Sequence, residues 1–225
     1  EIRRFFPKER TIVVDGHDRT SYNHNIASKS IYFKRELEND EVHPIHFAIP
    51  EEAIRKIYSP KIHAFAPLVP VNHSWNSEHI QSYIYNDEET YYRDYEQSWF
   101  AYTCKKGGWD CLRHYEILAA GCMPWFTDIE VCPKNTLFRF PKELCIRAKK
   151  IKGCLPGTTV EYDPQKETYL GTTEKIKLRE ERGTLSPNFD FGEYYEILED
   201  MRYVLRNKLT TKALAEYVLN CIQDK

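Results

Sequence analysis

No run of about 18 apolar residues occurs anywhere in the 225-residue chain. The opening Glu1-Ile2-Arg3-Arg4-Phe5-Phe6-Pro7 lacks the apolar stretch and cleavage site of a secretory leader. A membrane-spanning helix is therefore not expected, and the chain reads as soluble. Cysteine is missing from the first 103 residues; the seven that follow are odd in number and form no Cys-x-x-Cys pair. Reduced thiols in a cytoplasmic setting are expected, with buried, apolar cysteine preferred over a zinc ligand. A charge excess is missing too: 32 Lys plus Arg stand against 34 Asp plus Glu, so nothing draws the chain toward a nucleic acid. Repeats are absent, which excludes solenoids and collagen. The first residue is not Met, from which a longer polypeptide with neighbouring domains is expected.

The glycine signatures of common nucleotide folds are also absent. Neither Gly-x-Gly-x-x-Gly nor Gly-x-x-x-x-Gly-Lys-Ser/Thr occurs, which disfavours a dinucleotide-binding or P-loop site. The eight His residues fall at neither zinc-finger nor His-Glu-x-x-His spacing, and Asp-x-Asp never appears, so no metal site is expected. What the chain does have is enough apolar material for a sizeable core, 41% of its residues. It is also rich in aromatics, with 16 Tyr, 11 Phe and 4 Trp, side chains that fill cores and stack on flat ligands.

Periodicity and turn signals place the elements. Thr11-Ile12-Val13-Val14 ends at Asp15-Gly16 and reads as a first strand, Ser30-Ile31-Tyr32-Phe33 as a second, and Pro44 to Ile49 as a third extended segment. Pro50-Glu51-Glu52-Ala53-Ile54 resembles a helix start. Pro60, Pro67, Pro70 and Asn72 suggest a boundary between a small N-terminal lobe, residues 1–70, and a larger one, residues 71–225. In the latter, an acidic helix opens near Asp87. A strand follows over Ser98 to Cys104, then Gly107-Gly108, a helix over Leu112 to Ala120, a left-handed cap at Gly121 and a strand at Cys122 to Phe126. Strand, glycine turn, helix and strand make a βαβ unit with a parallel sheet, so an α/β fold is expected. Residues 161–188 read as a long exposed loop or lid, and helices at 193–208 and 211–222 close the chain.

The glycine turn carries the chemistry. Backbone amides at such a turn and at a helix start can bind phosphate. Lys105 and Lys106 precede it, and Arg113 and Glu116 follow on one helix face. Cations for phosphate and a carboxylate for sugar hydroxyls are what a nucleotide site needs. The plainer alternatives are an ordinary strand-to-helix turn and a surface ion pair worth about 0.2–0.5 kcal/mol. Trp109 is placed either on a nucleotide base or under the long loop. Lys34-Arg35-Glu36 is either a reserve of cations for a diphosphate or a solvated charge run. Asp15, His17 and Asp18, at the end of the first strand, are candidates for a catalytic base, with Asp-Gly turn chemistry the alternative for Asp15. His73 is a weaker candidate.

Residues Tyr92-Arg93-Asp94-Tyr95, Ser98-Trp99-Phe100, Gly108, Arg113 and Glu116-Ile117-Leu118-Ala119-Ala120-Gly121-Cys122-Met123-Pro124 resemble the nucleotide-sugar half of exostosin-like glycosyltransferases of the GT-B class. The pattern there is roughly Pro-Arg-Gly-x-Gly-x-x-Ser-x-Arg-x-x-Glu-Ala-Leu-x-Ala-Gly-Cys-Ile-Pro-Val. Gly108 then matches the second turn glycine, Arg113 the phosphate-side arginine and Glu116 the acid on the ribose hydroxyls. Cys104, Lys105, Lys106 and Cys111 stand where that family has Pro, Arg, Gly and Ser. Segments around Val14-Asp15-Gly16, Tyr32 to Leu37, Pro44 to Ile49 and Leu209 to Ala215 resemble compact glycosyltransferase domains in multidomain proteins of large algal DNA viruses. That would place the chain in the host cytoplasm.

The resemblance implies a compact GT-B-like fold: a Rossmann-like nucleotide-sugar lobe beside a small N-terminal α/β lobe. It implies a metal-independent transfer of a sugar, with rhamnose, fucose and xylose as options, from a UDP-sugar donor to an oligosaccharide or other glycan acceptor. Lys105, Lys106, Gly107, Gly108, Trp109, Arg113 and Glu116, with Lys34 and Arg35, would bind the donor. A noncatalytic carbohydrate- or nucleotide-binding module of a larger protein is the alternative.

Overall fold

The computed structural model describes residues 8, 11–57, 59–67, 85, 87–156 and 182–223. His73, Pro70 and Asn72 of the expected lobe boundary, and residues 161–181 of the expected long loop lie outside them. The protein is α/β, and its described residues contain two three-stranded parallel sheets.

In the first sheet β1 (Ile12–Asp15), β2 (Ile31–Lys34) and β3 (His43–Pro44) lie in that order, with the short helix α1 (His24–Ala27) between β1 and β2. Central β2 is buried along its whole length, as a parallel strand covered on both faces must be. Its fourth residue is Lys34, so that burial demands a charge partner. The segment after Pro50 forms a single 3₁₀ turn, Glu51–Ala53, instead of a full helix.

The second sheet orders β4 (His63–Ala66), β5 (Ser98–Thr103) and β6 (Met123–Phe126). Helix α2 (Glu88–Glu96) joins β4 to β5, and α3 (Leu112–Ala119) joins β5 to β6. The Asp87 side chain caps α2 by accepting the Thr90 amide at 2.7 Å, and two glutamates follow in the first turn where the helix dipole favours them. Phe65 stacks on Phe100 and Tyr102 across β4 and β5, with Trp125 edge-on. These rings, with Tyr115, Leu118 and Ala119 of α3, form the main core. A further helix α4 (Lys142–Ala148) and a two-stranded antiparallel ribbon, β7 (Cys154–Leu155) with β8 (Thr184–Leu185), had no clear signal in the sequence.

Helix α5 (Phe191–Lys208) buries Tyr194, Ile197, Leu198, Met201 and Leu205 at helical spacing in the main core. Helix α6 (Thr211–Gln223) turns back to the first sheet, where Leu214, Tyr217, Val218, Cys221 and Ile222 cover Ile31, Phe33 and Ile45. Sheet membership thus divides the chain differently from a cut at residue 70: β4 belongs with the second sheet and the last helix with the first. Among the described residues no helix is long and apolar enough to cross a membrane.

Helix α3 ends in a Schellman arrangement. The Gly121 amide donates to Leu118 O at 3.0 Å and the Cys122 amide to Ile117 O at 3.1 Å, with Gly121 at φ +72°. A Cβ there would also stand 2.6 Å from Ile57 Cγ1. Gly121→Ala is expected to lower stability by roughly 1–3 kcal/mol, read as a reduced urea midpoint; an unchanged midpoint would show that neither constraint operates.

Candidate functional site

Parallel strands present functional groups at their carboxyl ends, and here the carboxyl ends of the two sheets meet. Asp15 ends β1, and Lys34-Arg35-Glu36 runs off the end of β2. The turn from Cys104 to Asp110 runs off the end of β5.

The three charged residues after β2 are all buried, at 0%, 5% and 1% exposure, so they are not a solvated run. Lys34 donates to Asp15 Oδ1 at 3.2 Å and to His17 O at 2.8 Å. Asp15 also accepts the Tyr32 hydroxyl at 2.7 Å and the His17 amide at 3.0 Å. Burial alone would raise its carboxyl; these hydrogen bonds and the Lys34 charge hold it below the ordinary value. Arg35 donates to Gly16 O, to the Asp18 carboxylate and to Asp110 O, and its guanidinium lies 4.8 Å over the Phe47 ring. Lys34 and Arg35 are thus engaged by their own lobe and by the turn, and do not extend toward an open site.

The Glu36 carboxylate crosses to the glycine turn. Its Oε2 accepts the Trp109 amide at 3.0 Å and its Oε1 the Asp110 amide at 2.9 Å, with Arg35 Nη1 3.2 Å from Oε1. Burial raises the Glu36 pKa against the pull of those two amides and Arg35. This approach explains Gly108, where a Cβ would lie 2.5 Å from Glu36 Oε1; one on Gly107 would lie 2.5 Å from Asp18 Oδ2, the tip of a half-exposed side chain.

Behind the turn a chain of buried polar groups sets the start of α3. The Trp109 carbonyl can only accept, so His114 Nε2 carries the proton toward it at 2.8 Å, and Nδ1 accepts the Thr103 hydroxyl at 2.9 Å. Burial, with Arg113 beside it, pushes His114 down to about 3 and keeps the ring neutral. Arg113 Nη2 donates to Thr103 Oγ1 at 3.3 Å. The Asp110 carboxylate accepts the Tyr115 hydroxyl and the Phe47 amide, each at 2.7 Å, tying turn, α3 and first sheet together.

On the other side of α3 lies an open cleft of about 490 Å³. Lys106, Cys111, Leu112, Arg113 and Glu116 form one wall, and Tyr85, Asp87, Glu88, Tyr91 and Tyr92 the other. Tyr91 donates to Glu116 Oε2 at 2.7 Å, which orients that carboxylate. Burial, then the neighbouring Tyr95 and Glu116, raise the Tyr91 pKa, so the phenol stays a donor.

Of the donor-binding residues expected from the sequence, Lys106, Arg113 and Glu116 come together in this cleft. Lys105 and Trp109 are not among its walls: the Lys105 amide donates to Asp128 Oδ2 at 3.2 Å, its ammonium sits 5.7 Å from the Trp109 ring, and Trp109 is buried in the core. Trp109 therefore does not stand ready to stack on a base. Asp15, His17 and Asp18 lie in the network at the end of β1. Tyr85, Tyr91, Asp110 and His114 were not singled out by the sequence; the last two lie between the glycines and Glu116, where position alone could have drawn notice. Among the described residues no group of three or more His, Cys, Asp or Glu side chains is arranged to hold a metal ion. Comparisons of the chain with protein-family models, with curated proteins and with solved structures return no match.

Burial pushes the Asp110 carboxyl from 3.8 up to about 6, although Tyr115, the Phe47 amide and Arg35 hold it down. A raised value means that the folded state binds this proton more tightly. The stabilisation is complete below pH 3.8 and is lost as pH climbs through about 6, a change of roughly 3 kcal/mol. Asp110→Asn should therefore flatten the fall in stability across that window, measured as urea midpoints at several pH values. An unchanged slope would mean that Asp110 does not titrate there.

Proposed function

We propose that the chain is a glycosyltransferase of compact, GT-B-like form that transfers a sugar from a UDP-sugar to a glycan acceptor without a metal ion. The observation that carries this reading is the convergence of Lys106, Arg113 and Glu116, with Tyr85, Tyr91 and Tyr92, on a single cleft of about 490 Å³. In this reading Lys106 and Arg113 neutralise the diphosphate as charge builds on the leaving group. Glu116, steadied by Tyr91, accepts from sugar or ribose hydroxyls, and the tyrosine rings face the flat base. Two parallel sheets meeting at their carboxyl ends are compatible with a two-lobed transferase. The acceptor base is assigned to the loop after β1, which is not among the walls of the cleft; there the His17 side chain is exposed while Asp15 and Asp18 are paired with Lys34 and Arg35.

That pairing also favours a second reading, a noncatalytic nucleotide- or carbohydrate-binding module, because both carboxylates proposed as bases are already engaged. Titration calorimetry with UDP and a release assay over a panel of UDP-sugars, with and without acceptor glycans, separate the two. UDP binding with sugar-dependent UDP release is expected, and binding without release from any donor favours the module. Glu116→Ala should weaken UDP binding about tenfold or more with the fold intact. Unchanged affinity in that variant would remove the cleft as the site.

A further inference from the structure

The turn over residues 107–110 already holds an anion, and the chain supplies it. Two consecutive amides, Trp109 N and Asp110 N, point at the two oxygens of one carboxylate at 3.0 and 2.9 Å. The guanidinium of Arg35 stands 3.2 Å from the same group. Two backbone donors and an arginine are the elements of a phosphate cradle. A Cβ on Gly108 would intrude on the anion itself. The turn adjoins the open cleft along the chain: Lys106 precedes it and Cys111 and Leu112 follow it, and all three line the cleft wall, whereas Arg35, Glu36, Trp109 and Asp110 do not.

We propose that Glu36 is an internal occupant of this cradle, and that its carboxylate and a phosphoryl group of the donor compete for the amides of Trp109 and Asp110. The inference rests on the nucleotide-sugar reading of the cleft and concerns the anion position on the turn beside it. A carboxylate and a phosphoryl oxygen are equivalent acceptors for backbone amides, so a phosphoryl group that reaches past Lys106 to the turn would compete with Glu36 for them. The swap conserves hydrogen bonds, since the amides and Arg35 exchange one anion for another. Glu36 is 1% exposed, and its burial is unfavourable to the charged form, which lowers the cost of its departure. Leaving the cradle would return Glu36 to solvent and loosen the junction between the two sheets, so occupancy of the cleft and closure of the sheets become linked.

Titration calorimetry of wild type, Glu36→Ala and Glu36→Gln with UDP and with inorganic pyrophosphate tests the competition. Both variants, once shown to be folded by circular dichroism, are expected to bind the two ligands about tenfold more tightly than wild type. Affinities equal to or weaker than wild type overturn the inference. If wild type binds UDP through Glu116 and the Glu36 variants do not differ from it, only the competition is lost. If neither wild type nor variants bind UDP or pyrophosphate, the donor reading falls and this inference with it. Should the variants not fold, hydrogen exchange on wild type decides: saturating pyrophosphate should raise exchange in the segment 35–37, and unchanged exchange there overturns the proposal.

Discussion

Three consecutive ionisable residues, Lys34, Arg35 and Glu36, are buried where β2 ends, and a buried charge without a partner is among the most costly features a fold can carry. Each is therefore matched, and each match fixes a different piece of the molecule. Lys34 pins the loop after β1 through Asp15 and His17 O. Arg35 reaches Gly16 O, Asp18 and Asp110 O, and so spans both sheets. Glu36 seats the glycine turn. Removing one partner from such a network costs about 3–5 kcal/mol, because the remaining charge stays buried. The junction is consequently a specific interface rather than a greasy contact.

With the junction closed, a cleft of about 490 Å³ stays open on the far side of α3. That helix serves both sides. Tyr115, Leu118 and Ala119 enter the main core, while Arg113 and Glu116 line the cleft. The first turn of the helix is set by the Thr103–His114–Trp109 chain, in which a neutral imidazole can donate to a carbonyl and accept from a hydroxyl at the same time. In the neutral form the Thr103 hydroxyl donates to the imidazole and accepts from Arg113, which places the Arg113 guanidinium at the start of the helix.

The strand, turn and helix pattern from Ser98 to Phe126 was legible in the sequence because β-branched and aromatic runs, Gly107-Gly108 and Gly121 are local signals. The two closing helices were legible for the same reason, through apolar spacing over three or more turns. Helix α4 was not, since its seven residues lack a side-chain N-cap and show only a short periodic pattern. Nor was the return of α6 to the first sheet, because periodicity reports that a face is apolar and not which sheet it will cover.

For the site, the sequence by itself determined which groups stand close along α3: Lys106, the glycines, Arg113 and Glu116 lie within one turn and one helix, and local geometry brings several of them to one wall. Only the tertiary structure decided what the cations and amides face. The partner of the glycine turn lies 74 residues before Asp110 and is the chain's own carboxylate, and the partner of Glu116 is a tyrosine 25 residues away on another helix. The reason is physical. A charged side chain acquires its role from whichever opposite charge or hydrogen-bond partner comes within about 3 Å in a water-poor setting, and that neighbour is chosen by the packing of sheets and helices rather than by adjacency along the chain.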